Sequence, residues 1–351
     1  MTSASVRWGI MGTARIAAKL ATAIHAAEGA QLAAVASRDL ARAEQWTNQH
    51  RAGAALGDYR ALLSDDTIDA IYIPLPPSMH AEWTIRCAEH GKHVLCEKPL
   101  GVSSREAEEM AAACAANDVQ LMDATMWVHH PRTAAMSASL AELGKLRRAT
   151  SAFGLNLDSY LKFKPSHLAI ADGDAESNLQ RAVAHELRLN RSLGGGALLD
   201  LGWYCVRATM FAFPGLPQRI FATRRLRGDV DFNLSALLWY SDDRIASFDC
   251  GYDLSQRKWF EVVGENGSLV CDDFVNPWEG KATRYWIHGE AGSVREQPCE
   301  SAEQEVLMVE EFCRLVTAGE RDERWPRAAV INQTICEAID QSAQTESIVE
   351  I

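Results

Sequence analysis

The chain has 351 residues, of which 47% are hydrophobic and 23% are charged. These ordinary globular values argue against a disordered or fibrous protein, and the length predicts two domains. The formal net charge of −12 argues against nucleic acid or an anionic membrane as a partner and leaves a small molecule as the expected one.

The first part of the chain predicts strands that alternate with helices. Periodicity predicts strands at 6–12, 31–37, 69–75, 92–96 and 119–122, and helices at 16–27, 40–49, 78–90 and 104–117. Parallel strands need crossover connections, which helices of this length supply. We therefore predict an α/β fold with an N-terminal, Rossmann-type, doubly wound parallel sheet at residues 1–125.

After residue 145 the pattern changes to consecutive strands separated by turn residues. The predicted strands are 148–155, 218–224, 232–240, 245–252, 258–264 and 268–272. We predict a C-terminal α+β domain at residues 126–351 with a mostly antiparallel, open-faced sheet. Amphipathic helices at 303–317 and 328–343 could pack back on the first domain. The polar stretch 157–184 is the expected long functional loop.

The cysteine pattern indicates a reducing compartment. There are nine cysteines, an odd number, and they form no CxxC pair and no Cys/His metal spacing. The N-terminus lacks a secretory signal, and nowhere do about 18 apolar residues run together. We expect a cytoplasmic protein without a disulfide framework, a metal site or a membrane span.

The first predicted strand runs into a glycine turn that opens the first predicted helix. In this stretch Gly12, Ala14 and Ala17 stand where the dinucleotide fingerprint GxGxxG has glycines. Such a turn aims helix N-terminal amides at a pyrophosphate, although so degenerate a motif is also compatible with a plain tight turn. The residues predicted to contact a dinucleotide here are Gly12, Thr13, Ala14, Arg15 and Ile16.

Ser37 and Arg38 end the second predicted strand. An acid at this place contacts the ribose of NAD, whereas a hydroxyl followed by a guanidinium suits the 2′-phosphate of NADP. The pair therefore favours NADP over NAD. Asp39 leaves NAD open, since an acid one place later could hold a ribose hydroxyl, and a solvated arginine is a further alternative.

Two more strand ends carry candidate residues. Leu75 and Pro76 follow the third predicted strand in a proline-rich turn that faces the ligand crevice. His80, a few residues later, could approach the cofactor or simply lie in the first turn of a helix. Glu97 and Lys98 follow the fourth predicted strand, where the lysine could hold a substrate hydroxyl as a cationic donor. An exposed ion pair is the alternative.

Five segments of the chain carry a resemblance to a known family, namely GIMGTARIA, ASRD, IPLPPSMHAEW, GKHVLCEKPL and GGGALLDLGWY. They are similar to the Gfo/Idh/MocA oxidoreductase family, and the resemblance covers almost the whole chain. The segment MDATMWVHHPRTA at 122–134 resembles a subgroup whose broader relatives include dimeric dihydrodiol dehydrogenase and NADP-linked xylose dehydrogenase.

The resemblance implies a set of site residues. Lys98 is expected beside the nicotinamide and the substrate, and Glu97 is expected to position the cofactor. Asp200 and Tyr204 are expected to face the substrate; four residues make one helical turn, so the two share a helix face. Lys98 and Tyr204 form the expected acid/base pair. The residues expected to line the substrate pocket are Trp127, His130 and Trp203.

Two departures from the family pattern concern the same pocket. Family members often have asparagine where Pro77 stands and arginine where Val128 stands. One amide contact and one charged contact are therefore missing. His129 or His130 could replace them, and simple packing is the alternative for both histidines.

The resemblance also implies the reaction, which is reversible hydride transfer between NADP (or NAD) and a secondary alcohol of a sugar, polyol or related cyclic alcohol. It implies a homodimer or homotetramer formed through the C-terminal sheet. Two other functions stay open at this point: a glycoside hydrolase or lyase that oxidises its substrate transiently with tightly bound NAD, and a dinucleotide sensor without catalysis.

Overall fold

The computed structural model describes residues 5–163, 186–277 and 282–351. The chain divides into two compact units. The first comprises Met1–His130 and Ala302–Gln333, and the second comprises Pro131–Ser301 and Thr334–Ile351. The division therefore falls at residue 130 rather than at the predicted residue 125, and part of the C-terminal helical region belongs to the first unit.

The first unit contains a six-stranded parallel sheet in the order β3-β2-β1-β4-β5-β6. Its strands are β1 (Val6–Met11), β2 (Ala30–Ala36), β3 (Ala54–Leu56), β4 (Ala70–Ile73), β5 (His93–Cys96) and β6 (Leu121–Asp123). The order reverses beside β1, which is the doubly wound Rossmann arrangement and confirms the predicted fold class. Carboxyl ends of β1, β2, β4 and β5 therefore meet at one edge, where ligands bind in such sheets.

Helices connect these strands. They are α1 (Arg15–Ala26), α2 (Leu40–His50), α3 (Tyr59–Leu63), α4 (His80–Glu89) and α5 (Ser104–Ala116). Asp39 and Ser103 begin α2 and α5 as N-caps, because their side chains accept hydrogen bonds from free amides of the first turn. Helix α9 (Gln304–Ala318) also belongs to this unit and packs Phe312 against Trp8 of β1, with ring centroids 4.9 Å apart.

The second unit contains a nine-stranded sheet in the order β14-β13-β12-β11-β7-β10-β9-β8-β15. All neighbouring strands pair antiparallel except β7 with β10, which confirms a mostly antiparallel sheet. The strands are β7 (Leu146–Asn156), β8 (Arg219–Arg227), β9 (Val230–Trp239), β10 (Ile245–Gly251), β11 (Asp253–Gly264), β12 (Ser268–Cys271), β13 (Arg284–His288), β14 (Val294–Pro298) and β15 (Val349–Glu350).

The helices of this part are α6 (Pro131–Ser139), α7 (Leu157–Phe163) and α8 (Trp203–Ala212), with α10 (Arg324–Thr345) divided between the two units. A single π-helical turn, Leu198–Gly202, directly precedes α8. The predicted functional loop 157–184 begins as α7, and its remaining residues lie outside the described part of the chain.

A buried ion pair fixes the start of α6 within the second unit. Arg132 and Asp273 are 1% and 4% exposed, and Arg132 Nη1 lies 2.5 Å from Asp273 Oδ1. The same guanidinium also donates to the carbonyl oxygens of Asp273 and Phe274. Because two charges have been moved out of water here, loss of either partner would leave the other uncompensated.

Candidate functional site

A groove of about 370 Å³ opens at the carboxyl ends of β1, β2 and β4 in the first unit. This volume lies in the range of pockets that hold small molecules and cofactors. Its lining includes seven of the predicted cofactor residues, which are Gly12, Thr13, Ala14, Ser37, Arg38, Leu75 and Pro76. Four further residues complete the lining: Asp39, Arg42, Tyr59 and Pro74.

The turn after β1 forms one wall of the groove and requires a glycine. Gly12 has φ +108°, and its amide donates to the Ala36 carbonyl at 2.8 Å. A Cβ atom at this position would lie 3.2 Å from Leu75 Cδ2 across the groove. Helix α1 begins at Arg15, so its free N-terminal amides lie beside this turn. The wall can therefore approach and bind a phosphate.

The wall after β2 carries two guanidinium groups. Arg38 and Arg42 are exposed and both line the groove. Ser37 is buried, and its hydroxyl accepts a hydrogen bond from the Asp39 amide at 3.2 Å. The Asp39 carboxylate in turn accepts from the Arg42 amide at 3.3 Å as the N-cap of α2. The acid is thus engaged by the start of the helix, while both arginines line this end of the groove.

Arg42 and Tyr59 were not among the predicted site residues. Arg42 lies in the first turn of α2, directly after the strand end that carries Arg38, and this closeness in the chain was the signal that could have revealed it. Tyr59 begins the short helix α3, whose five residues carry no periodic pattern of their own. Its ring packs edge-on against Trp83 at 5.3 Å, which fixes the phenol at the groove wall.

His80 lies behind the groove wall. It is 0% exposed, with Nδ1 2.9 Å from the Pro99 carbonyl oxygen and Nε2 2.8 Å from the Leu75 carbonyl oxygen. Burial lowers the pKa of His80, against the two carbonyls, which raise it. In this geometry the imidazole connects the turns that follow β4 and β5 and does not reach the groove as a free donor to a dinucleotide.

Glu97 and Lys98 emerge from β5 and are both half-buried. The Glu97 carboxylate accepts a hydrogen bond from Tyr72 Oη at 2.5 Å and from the Lys98 amide at 3.2 Å. Burial raises the pKa of Glu97, while the Tyr72 hydrogen bond and the Lys98 charge act in the opposite direction. The Glu97 carboxylate therefore holds the backbone of Lys98 through a hydrogen bond to its amide.

In the second unit, Asp200 lies in the π-helical turn at the centre of a charged cluster. Its Oδ2 atom lies 2.8 Å from Arg188 Nε and 3.1 Å from Tyr252 Oη. Arg188 also contacts Glu186 at 2.8 Å. Burial alone would lower the pKa of Arg188, but the Asp200 and Glu186 carboxylates outweigh it and raise that pKa. Sequence reasoning missed Arg188 and Tyr252, because both lie outside the GGG signature and Tyr252 stands 52 residues after Asp200.

The π turn changes one premise of the sequence argument. Asp200 and Tyr204 were expected to share a face of a continuous α-helix, yet the helix is π-helical at Leu198–Gly202 and becomes α-helical only from Trp203. Hydrogen bonds in a π turn span one residue more than in an α-helix, so the four-residue spacing no longer equals one turn. Such turns occur frequently at functional sites.

The buried carboxylate of Asp231 holds the start of this helical segment. Asp231 Oδ2 accepts from the Leu198 amide at 2.6 Å, and an added Cβ at Gly196 would lie 2.2 Å from Asp231 Oδ1. Gly196 has φ +124°, which also favours glycine. Burial raises the pKa of Asp231 to about 6, although the Leu198 amide lowers it. Gly196 and Asp231 together therefore set the course of the chain into Asp200.

The aromatic and histidine residues predicted to line the substrate pocket are buried. Trp127, His130 and Trp203 are 1%, 2% and 0% exposed. Tyr204 is 7% exposed, with its ring 5.5 Å from Phe153. His129 stacks on the indole of Trp325 at 4.6 Å. The predicted cofactor residues Arg15 and Ile16 are exposed in the first turn of α1.

Two negative observations apply to residues 5–163, 186–277 and 282–351. These residues contain no cluster of three or more His, Cys, Asp or Glu side chains that could hold a metal ion. None of their helices is both long enough and apolar enough to cross a bilayer. All nine cysteines lie within these ranges and are free.

Comparisons with known proteins identify both halves of the chain. The family described as "Oxidoreductase family, NAD-binding Rossmann fold" matches residues 6–125. The "GFO/IDH/MocA C-terminal domain" matches residues 173–270.

Similar proteins extend over nearly the full length. D-xylose 1-dehydrogenase (NADP(+)) 2 of Haloferax volcanii is 33% identical over 350 residues, covering 98% of this chain and 99% of the relative. Human trans-1,2-dihydrobenzene-1,2-diol dehydrogenase is 32% identical over 279 residues, covering 78% and 75%. The crystal structure of a 3-ketoreductase from Actinomadura kijaniata with NADP and TDP-benzene superimposes with a TM-score of 0.84 at 26% identity, covering 96% and 98%.

Proposed function

The chain belongs to the Gfo/Idh/MocA family of oxidoreductases, and we propose that it transfers a hydride between NADP and a secondary alcohol of a sugar, polyol or related cyclic alcohol. The observation that carries the proposal is the groove at the carboxyl ends of β1, β2 and β4, with a phosphate-binding turn on one wall and two arginines on the other. The family is NAD(P)-dependent, and the identity of the alcohol is the open part of the proposal.

The groove fits a dinucleotide with a 2′-phosphate. The turn at Gly12 admits a pyrophosphate without a side chain in the way, and the amides at the start of α1 supply donors. Arg38 and Arg42 supply the positive charge that a 2′-phosphate needs. When bound, the nicotinamide supplies or accepts the hydride. The protein then has to bind, orient and move one proton.

We assign the proton chemistry to Lys98, Asp200 and Tyr204. Lys98 follows β5 at the edge of the sheet where the groove lies, and its backbone is held by Glu97. It would donate to the oxygen of the reacting carbon. Asp200, already an acceptor for Arg188 and Tyr252, would orient a substrate hydroxyl, and Tyr204 would exchange the proton.

Relatives indicate the substrate class to test. One is named as a D-xylose 1-dehydrogenase and another as a trans-1,2-dihydrobenzene-1,2-diol dehydrogenase, and both named substrates carry hydroxyl groups on neighbouring carbons. We therefore propose an uncharged polyhydroxylated substrate or a cyclic diol. The test is a titration of NADP and NAD by calorimetry, followed by an absorbance screen at the NADPH band with aldoses, inositols and dihydrodiols.

A matched pair of lysine variants tests the mechanism. Lys98→Ala is expected to lose about 100-fold or more in kcat, the scale of one acid–base contribution, with NADP binding retained. Lys145→Ala, which changes an exposed lysine after the Leu140–Leu143 turn, is expected to behave as wild type. Unchanged turnover in Lys98→Ala on every oxidised substrate would refute the assignment.

The hydrolase or lyase alternative predicts a different result in the same screen. Its dinucleotide would survive purification, and a glycoside would be cleaved with no steady change in NADPH absorbance. The relatives named above are dehydrogenases and a reductase, and they favour net oxidation or reduction instead. A sensor would bind NADP and turn over nothing in the screen.

We also propose that the chain forms a homodimer or homotetramer in the cytoplasm. One face of the C-terminal sheet carries large side chains that are only partly covered, among them Phe221, Leu237 and Trp259, while the alternate residues are buried. A sheet face that leaves large side chains uncovered can be buried against a second copy in a symmetric dimer. Light scattering of the wild type and of Leu237→Asp tests it, and a monomeric wild type refutes it. The free, mostly buried cysteines suit a reducing compartment.

A further inference from the structure

Tyr72 occupies a place in the first sheet where an aliphatic residue would be expected. It lies in β4, whose other residues are Ala70, Ile71 and Ile73, and all four are 0% exposed. Strands covered on both faces are normally continuous aliphatic runs. A phenol hydroxyl in such a strand is expensive to bury unless it forms a hydrogen bond. The hydroxyl of Tyr72 therefore needs a hydrogen-bond partner inside the fold.

The hydrogen-bond partner of the hydroxyl is Glu97, the residue that directly follows the neighbouring strand β5. Tyr72 Oη donates to Glu97 Oε1 at 2.5 Å, and the second carboxylate oxygen, Oε2, accepts from the Lys98 amide at 3.2 Å. Because the carboxylate accepts on both oxygens, its orientation is set from two sides. The tyrosine thus connects the core of the sheet to the backbone of Lys98 through one carboxylate.

The titratable groups around Glu97 belong to its two neighbours in the chain and to α9. Lys98 lies next to it in the chain and Glu305 of α9 faces it, with Lys19 of α1 paired to Glu305 at 2.5 Å. The preceding residue, Cys96, contributes a buried thiol. Burial and Glu305 raise the pKa of Glu97, whereas the Tyr72 hydrogen bond and Lys98 lower it. The Tyr72 hydroxyl and the Lys98 backbone amide are the uncharged groups that favour the ionised carboxylate, and the hydroxyl has the larger effect.

We propose that Tyr72 is a positioning residue for Lys98, acting by holding the Glu97 carboxylate as a double acceptor beneath the lysine backbone. This inference rests on the proposed role of Lys98 in the reaction. Protonation removes the charge of Glu97, so its Oε2 atom would accept a weaker hydrogen bond from the Lys98 amide and the support of the Lys98 backbone would weaken. Turnover should therefore decline at acid pH as Glu97 takes up a proton.

Tyr72→Phe removes the hydroxyl and leaves the buried ring in place. A hydrogen bond to a charged group corresponds to about one to two pKa units. The acidic limb of the kcat profile should therefore move to higher pH by about one to two units in this variant, with kcat restored well above the limb. Glu97→Gln cannot titrate, so its profile should lose that limb. The matched control is Tyr240→Phe, which removes a buried hydroxyl from the second unit and should leave the profile unchanged.

A second measurement does not depend on turnover. Titration of Glu97 by carbon NMR, in protein labelled at glutamate side chains and assigned with Glu97→Gln, should show the same upward pKa shift in Tyr72→Phe. An unshifted Glu97 titration, or a kcat profile that matches the wild type, would overturn the inference even where Lys98→Ala has lost activity. Full activity of Lys98→Ala would instead refute the proposed function and, with it, this role of Tyr72.

Discussion

Replacing Arg38 by alanine should reduce the preference for NADP over NAD about tenfold. Arg38 and Arg42 are both exposed at the groove wall after β2, and the acid in the groove lining, Asp39, accepts a hydrogen bond from the Arg42 amide. A hydrogen bond to a charged group contributes about 1.5–3 kcal/mol. Both arginines are exposed, which places the contribution of each at the lower end of this range. Each single variant should therefore weaken NADP binding about tenfold, and the double variant about 100-fold.

The assay is calorimetric titration of NADP and NAD against the wild type, both single variants and the double variant. NAD lacks the 2′-phosphate, so its Kd should change by less than about twofold. Arg105→Ala is the control, since that arginine is exposed on α5 and paired only locally with Glu109. Added salt should weaken NADP binding to the wild type more than to the double variant, because salt screens the attraction between exposed charges. Equal losses for NADP and NAD, or no loss for NADP, would refute the reasoning.

Three further predictions concern stability. Gly12→Ala places a side chain at φ +108° and should lower the free energy of unfolding by about 1–3 kcal/mol. The variant should also bind NADP more weakly. Thermal melts with and without NADP measure both effects, and melts that match the wild type would contradict the prediction. Burial raises the pKa of Asp231 to about 6, so the folded state holds the proton more tightly, and this group's contribution to stability grows as pH falls from about 6 to about 4. Asp231→Asn should therefore be more stable than wild type at pH 8, by about 2–3 kcal/mol, and equal to it near pH 4; urea melts at the two pH values decide, and a pH-independent difference contradicts the sign. Asp273→Ala should lose about 3–5 kcal/mol by leaving Arg132 buried without its carboxylate, and a loss below about 1 kcal/mol in urea melts would contradict this.

The regular part of the fold was predictable because its signals are local. β1 is a buried apolar run that meets a glycine turn, and α1 follows with an apolar face, so the alternation of strand and helix is visible residue by residue. The three-residue strand β3 and the two-residue strand β15 escaped prediction because they are short and neither is a buried apolar run. β14 was missed because its residues are mostly exposed and polar. The parallel pairing of β7 with β10 depends on a long crossover that no local pattern reveals.

The candidate site divides in the same way. Gly12, Ser37 and Arg38 could be predicted because they stand at strand ends, whose position follows from the strand itself. Arg188 and Tyr252 reach Asp200 from 12 and 52 residues away, and only the tertiary fold brings them together. The π turn before α8 was equally invisible, since the residue pattern of one π turn does not differ from that of an α-helix.

The imidazole of His80 lies between two turns of the first unit, and each of its ring nitrogens faces a backbone carbonyl oxygen. It lies 2.8 Å from the Leu75 carbonyl oxygen, beside the groove, and 2.9 Å from the Pro99 carbonyl oxygen, directly after Lys98. A neutral ring carries one N–H, so it can donate to one carbonyl at a time, and the tautomer decides which turn is held more firmly. The groove wall at Leu75 and the turn after Lys98 therefore share a single buried N–H donor, so that a firmer hold on one turn is a looser hold on the other.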